Sequence, residues 1–285
     1  MALGFSRGSV TIDTWDGCRA ETTVGLGGCV NWRYISASVI GTSHSKLELP
    51  CQDSCVVVEA CAQDNGRHVI AIASDGAGSA RFAQTGAELT CETAARYLTE
   101  LLTRSPDGVL AVEPQAVVDA VRTAIHRRAT EDGCSMRDYA CTVVGAVVGP
   151  EQACFFQIGD GAIVVRRSET LECVFWPDGG EYANTTFFVT DADAQAHLQC
   201  QIEDVPQELA LMTDGLQRLA LVFSSKTVHV PFFDSMFAVL RASSADACDE
   251  LSGSLAAFLN SEPVNARTDD DKTLVLLSAR CEAKA

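Results

Sequence analysis

Three aspartates stand where apolar runs end. Val69 to Ala73 leads into Asp75-Gly76, Cys154 to Ile158 into Asp160-Gly161, and Leu209 to Met212 into Asp214-Gly215. A fourth acidic group, Asp269-Asp270-Asp271, immediately precedes the run from Lys272 to Ser278. If these runs are strands of a layered structure, their ends share an edge and the carboxylates meet there. Carboxylates gathered within a few ångströms repel one another unless a cation compensates, so convergence implies bound metal. Oxygen-only donors point to magnesium or manganese rather than zinc. Two such ions lower the pKa of a shared water and hold the oxygens of an in-line phosphoryl displacement, which is the hydrolysis of a phosphate ester. A glycine after each aspartate permits a tight turn and leaves the main-chain carbonyl open to a ligand.

Asp-Gly is also an ordinary turn dipeptide. Asp16-Gly17, Asp107-Gly108, Asp132-Gly133 and Asp178-Gly179 read as turns of that kind, with no chemistry assigned. What sets the other three apart is their place at the ends of apolar runs, together with the acidic triplet.

The elements that must position these groups follow from periodicity. Asn31 to Ile40 reads as a strand, Gly41 to Gln52 as a polar, turn-prone stretch, and Cys55 to Cys61 as a second strand. A turn at Asp64-Asn65-Gly66 leads into His68 to Ala73, giving a hairpin feeding a third strand. Ser79 is placed to cap a helix whose apolar face runs from Phe82 to Leu101, and Pro114 to open another carrying Val117, Val118, Val121 and Ile125. Runs at Ala140 to Val148, Ala153 to Ile158, Ala162 to Arg166 and Leu171 to Phe175 read as an antiparallel meander. Further strands are expected at Phe187 to Thr190, Leu209 to Thr213 and Lys272 to Ser278, with helices at Phe232 to Leu240 and Ala245 to Leu259. This order cannot be wound as alternating β-α-β units. It predicts an α+β fold, a layered α-β-β-α sandwich of two antiparallel sheets flanked by helices. Residues 1–285 are read as one domain with its core from Trp32 to Ser278.

Composition narrows the partners. With 38 acidic and 21 basic residues the net charge is −17, which repels nucleic-acid backbones and anionic membranes. No stretch approaches the roughly 20 apolar residues of a membrane span. Thirteen cysteines occur without a Cys-x-x-Cys pair, and Met1 to Gly17 has no signal-like apolar run, so a reducing cytoplasm is expected. Cys141, Cys154 and Cys173 read as small core hydrophobes.

Six short segments then align in order with one known family. Gly41-Thr-Ser-His44, Pro50-Cys-Gln-Asp53-Ser54, Ala73-Ser-Asp75-Gly-Ala-Gly78-Ser79, Ile158-Gly-Asp160-Gly161, Met212-Thr-Asp214-Gly-Leu216 and Asp270-Asp-Lys-Thr-Leu-Val275 resemble the protein phosphatase 2C family of metal-dependent serine/threonine phosphatases. The Gly180 to Asn184 segment is similar to one carried by a bacterial-type subgroup. The resemblance implies that Asp75 bridges two manganese or magnesium ions and that Gly76 ligates one through its carbonyl. It implies that Asp214 and Asp270 complete one metal shell, and that Asp53 sits beside the metal-bound waters. Asp160, with Asp214, holds a third ion in some members. The substrates it implies are phosphorylated proteins, with a cognate serine/threonine kinase as partner.

Departures from the family pattern are specific. Ala77 stands where many members carry a histidine proposed as general acid, Glu48 where a phosphate-binding arginine is expected, and Gln52 where a glutamate is common. His44 and Lys46 are the candidates to hold substrate phosphate instead, and His44 joins Asp75 and Asp53 as a candidate catalytic residue. Two other readings compete. One is a pseudophosphatase that binds phosphoproteins without turnover. The other is a dinucleotide site at Gly76-Ala-Gly78, which Arg81 at the third glycine position and the charge of Asp75 disfavour.

Overall fold

The central strands of this chain are apolar along nearly their whole length because both faces of each sheet are covered there. In the computed structural model, residues 31–62, 66–177, 186–244 and 247–280 are described. The segment at 180–184, the first Asp-Gly turn, most of the turn after the second strand and the expected start of the last helix lie outside them.

Two five-stranded antiparallel sheets form the centre. Sheet one has the order β1 (Asn31–Val39), β12 (Lys272–Arg280), β9 (Glu208–Met212), β6 (Ala162–Arg167), β7 (Thr170–Cys173). Sheet two has the order β2 (Asp53–Cys61), β3 (Arg67–Asp75), β4 (Val143–Val148), β5 (Gln152–Ile158), β8 (Gln199–Asp204). Alternate residues serve different layers. Leu209 and Leu211 of β9 meet Ala71, Val144 and Phe155 between the sheets, while Ala210 and Met212 face outward. On the outer face of sheet two lie α2 (Ala83–Arg104) and α3 (Pro114–Glu131), packed on Ile70, Ile72 and Phe156. On the outer face of sheet one lie α5 (Val230–Ala242) and α6 (Cys248–Leu259), packed on Ile35, Ala210 and Leu276. The expected α-β-β-α sandwich is the observed one. Short elements complete it: α1 (Thr42–Lys46), α4 (Gln217–Ala220), α7 (Glu262–Asn265) and the small ribbon β10 (Leu221–Val222) with β11 (Thr227–Val228). Among the described residues no helix is long and apolar enough to cross a membrane, and every cysteine there is a free thiol.

The hairpin expected around the turn before His68 is β2–β3, while β1 belongs to the other sheet. Three expectations need correction. The stretch from Tyr139 to Phe175 is two hairpins in different sheets, because the chain crosses from sheet two to sheet one between Ile158 and Ala162. Ser79 does not cap α2, which begins after Phe82 without a side-chain cap. Before that point the Phe82 N–H is donated to the Asp138 carbonyl at 2.7 Å and the Phe82 ring stacks on Tyr139, so the chain is still turning. Phe187 to Thr190 forms a turn rather than a strand, because the Phe188 N–H is donated to the Asp191 carboxylate at 2.8 Å and Phe187 stacks on His197.

The crossover that aims Asp160 depends on Gly159, at φ +108°, where an added Cβ would lie 2.5 Å from Thr142 Cγ2. Gly159→Ala is expected to destabilise the protein by about 1–3 kcal/mol, from backbone strain with the contact added. Chemical denaturation would check this, and an unchanged midpoint would contradict the strained crossover.

Candidate metal centre

Register brings the first two carboxylates together. Asp53 opens β2 and pairs directly with Asp75, the last residue of β3. Directly paired residues of neighbouring strands have Cβ atoms only about 4.5–5.5 Å apart. The Asp75 N–H is donated to Thr142 Oγ1 at 3.0 Å, and its carbonyl accepts the Thr142 N–H at 2.8 Å, which fixes the strand end against β4.

Asp53 lies between the sheets. Its Oδ2 accepts hydroxyl hydrogen bonds from Thr213 at 2.7 Å and Thr273 at 2.8 Å, both from sheet one or its extension. It is 7% exposed, yet its Oδ1 has no hydrogen-bond partner among the described residues. Burial pushes this carboxyl up to about 6, against the opposing pull of the two threonine hydroxyls.

Sheet one and the crossover supply the others. Asp214 follows β9 in a 3₁₀ turn, and Asp160 sits in the crossover after β5. Carboxylate oxygens of Asp75, Asp160 and Asp214 all lie within 4.8 Å of one another. The Asp160 Oδ2 accepts from Thr186 Oγ1 at 2.7 Å, whereas its Oδ1 has no partner among the described residues. Burial, then the charges of Asp160, Asp270 and Asp53, raise Asp214 to about 8. Burial, followed by Asp53, Asp214 and Asp270, holds Asp75 well above the carboxylate range. Asp270 is itself raised by burial, and it completes the set through its charge on Asp75 and Asp214. Gly76 adjoins the cluster in a space that admits no side chain: a Cβ there would lie 2.4 Å from the Ala83 carbonyl oxygen and 2.8 Å from that of Gln52.

The acidic triplet divides its labour. The Asp269 carbonyl accepts the Ser43 N–H at 2.9 Å. Asp270 is exposed, its Oδ1 accepts the Asp271 N–H at 2.9 Å, and it bears on the cluster through its charge. Asp271, which sequence reasoning did not single out, is 2% exposed and organises the loop before β2. Its Oδ1 accepts the Gly41 N–H at 2.6 Å, and its Oδ2 accepts the Gln52 N–H at 2.5 Å and pairs with His44 Nδ1 at 2.9 Å. One carboxylate therefore pins both ends of that loop. Nothing in a run of three aspartates says which one turns inward; the pairing of β12 with β1 decides it. Lys272 was also missed. It is fully buried, with Nζ donating to Asn265 Oδ1 at 2.9 Å and to the Asp270 carbonyl at 3.3 Å. Burial lowers its pKa while the charges of Asp271, Asp270 and Asp53 oppose that.

Of the candidates from sequence, Asp53, Asp75, Gly76, Asp160, Asp214 and Asp270 are brought to one edge. His44 is committed through Nδ1 to Asp271, and Lys46 is exposed at the end of α1. The cluster fits divalent cations: the donors are oxygens, two are orphaned, and their mutual repulsion lacks a sufficient counter-charge.

Comparison with known proteins identifies the family. The sequence profile described as protein phosphatase 2C matches residues 40–260. Serine/threonine-protein phosphatase 3 of Escherichia coli (strain K12) is 38% identical over 248 residues, covering 87% of this chain and 98% of that protein. In architecture the chain is similar to a bacterial serine phosphatase, with a TM-score of 0.58, 13% identity, and coverage of 90% and 100% of the two chains. It is also similar to the catalytic domain of the serine threonine protein phosphatase PstP in complex with 2 manganese ions, with a TM-score of 0.54, 16% identity, and coverage of 88% and 99%. At such identities the two solved structures bear on the fold alone. Profile, relative and sandwich together establish that this chain belongs to the protein phosphatase 2C family and is, by that membership, a protein phosphatase.

Proposed function

We propose that the protein removes phosphate from phosphoserine and phosphothreonine in protein substrates by a metal-dependent hydrolysis at the carboxylate cluster. The observation that carries this reading is the convergence of Asp75, Asp160 and Asp214 within 4.8 Å. The orphaned oxygens of Asp53 and Asp160 support it. In this reading Asp75 would hold both of two manganese or magnesium ions, Gly76 would contribute its carbonyl, Asp214 and Asp270 would complete one shell, and Asp160 would serve a third, weaker site. Bound there, the cations would supply an acidified water and charge neutralisation at the phosphoryl oxygens. A kinase acting on the same substrates would be the cognate partner, the cytoplasm the place of action, and residues 1–285 one catalytic unit.

The remaining work falls to the chain's own groups. Asp53, held by Thr213 and Thr273, keeps Oδ1 free to accept a proton or orient a water. His44 is fixed by Asp271 at Nδ1, so its other ring nitrogen is the one that can meet substrate phosphate. Lys46 would add a mobile positive charge from the exposed end of α1. Ala77, 7% exposed and with its N–H donated to the Ala140 carbonyl at 2.8 Å, cannot protonate a leaving group, so that proton comes from water or another side chain. Binding without turnover is the second reading, favoured by Glu48 and Gln52 at positions where the family carries arginine and glutamate.

Asp75→Asn separates these. It preserves shape but replaces the carboxylate with a neutral oxygen, so turnover of an aryl phosphate with manganese should fall on the order of 10³-fold or more. Relief of repulsion should keep or raise the melting temperature of the metal-free protein. Asp107→Asn, at a plain turn, is the control. Near-wild-type turnover in Asp75→Asn, or no turnover in the parent with manganese, would overturn the catalytic reading.

For the loop, His44→Ala and Lys46→Ala are expected to raise KM several-fold with little change in kcat, as loss of a uniform phosphate contact does. Unaltered KM in both variants would remove the loop from substrate binding.

A further inference from the structure

At the end of sheet one opposite the carboxylates, a row of polar residues crosses the outer face. Arg33 pairs with Ser278, Ser278 with Glu208, and Glu208 with Arg166 across β1, β12, β9 and β6. These positions continue the alternation that, one row further in, buries Ile35, Leu276, Ala210 and Val164 beneath α5 and α6. Glu208 stands four residues from Met212 along β9, about 13 Å at the rise of a strand, and the cluster lies beyond that. Over the row, Arg241 descends from the last turn of α5. Together these five residues line an open cavity of about 510 Å³.

The guanidinium groups are oriented before any ligand arrives. Glu208 is 2% exposed, and its two oxygens accept from Arg166 and Arg241 respectively. Arg166 reaches Asp234 as well. Arg33 donates to the main-chain carbonyls of Leu240 at 3.3 Å and Arg241 at 2.5 Å, at the end of α5. Three guanidinium groups thus face two carboxylates and the carbonyl end of α5, an arginine-rich patch on a chain of net charge −17.

An independent observation points the same way. Ser278 is among the residues that line the cavity, it is 2% exposed, and its buried Oγ has no hydrogen-bond partner among the described residues. Buried hydroxyls are almost always paired. An idle donor at the floor of an arginine-lined cavity is suited to a ligand with acceptor oxygens. The arginines come from three different elements, β1, β6 and α5. Guanidinium groups are suited to the oxygens of a phosphate. The volume suits a small organic ligand.

We propose that this cavity is a second anion site, remote from the carboxylate cluster, which binds a small phosphate-bearing molecule through Arg33, Arg166, Arg241 and the Ser278 hydroxyl.

The test uses the full chain in excess chelator, where the cluster repels anions and catalysis is silent. Inorganic phosphate is titrated by calorimetry at fixed ionic strength, and acetate is run in parallel. One phosphate per chain is expected, saturating in the millimolar range, with acetate weaker. Loss of a charged hydrogen-bonding partner should weaken phosphate about tenfold or more in Arg33→Ala and Arg241→Ala, and loss of the hydroxyl several-fold in Ser278→Ala. Ser278→Ala removes no side-chain hydrogen bond among the described residues, so it reports on the site even if an arginine variant melts early. Asp75→Asn should bind phosphate like the parent. Absence of saturable binding, or binding unchanged in Ser278→Ala and Arg241→Ala, would overturn the proposal and leave a structural ion-pair cluster. If a phosphothreonine peptide bound at these residues more than tenfold tighter than free phosphothreonine, the ligand would be a protein segment and the small-molecule assignment would fail.

Discussion

Repulsion among half-buried carboxylates is the constraint around which this molecule is arranged. Two sheets deliver acidic strand ends to one edge, Asp53 and Asp75 by hairpin register and Asp214 and Asp270 from the facing sheet. Asp160 joins them where the chain crosses between sheets. The protein compensates in part, with the hydroxyls of Thr213 and Thr273 and the buried ammonium of Lys272. The compensation is incomplete, as the raised pKa values of Asp75 and Asp214 record. Their sign has a consequence for stability. A carboxyl raised in the folded state favours folding fully below its ordinary value of 3.8, and that stability is lost as pH rises through about 6 for Asp53 and about 8 for Asp214. The metal-free fold is therefore weakest at the pH where the cluster is most ionised, and a cation that binds the ionised form reverses the trend.

Asp271 makes the edge rigid on the other side. Its carboxylate joins the start of β12 to both ends of the loop between β1 and β2 through charge-assisted hydrogen bonds. These are shorter and stronger than neutral ones, and they lie where solvent cannot compete. Substrate-facing candidates and metal-facing candidates are thereby coupled: His44 is oriented by the neighbour of Asp270.

Much of this was legible in the sequence for one physical reason. Strands covered on both faces are apolar throughout, and an aspartate that interrupts such a run marks its end, so Asp75, Asp160 and Asp214 could be found without coordinates. The sandwich followed from element order alone. What failed were features that the same pattern cannot distinguish. Apolar residues of β5 and β6 look alike whether the strands share a sheet or not, so the crossover at Gly159 was invisible. Edge strand β8, Gln199–Asp204, is polar and mostly exposed, and it carries no strand signal. Phe187 and Phe188 are apolar but turn around the Asp191 carboxylate, a side-chain contact beyond the reach of periodicity. Asp271 acquires its role only from long-range pairing with the loop at Gly41 and Gln52, more than two hundred positions earlier, and Lys272 from side-chain contacts with Asn265 and the Asp270 carbonyl that periodicity does not show.

The most direct test of the central claim is a calorimetric titration of the metal-free protein with manganese near neutral pH, in two buffers of different ionisation enthalpy. With Asp75 and Asp214 raised by burial and mutual repulsion, cation binding must displace protons, because the ionised carboxylates are the ligands. The account predicts at least two manganese ions per chain, with proton release that diminishes as pH is raised above about 8. Binding of manganese without proton release, or no binding at all, would contradict it.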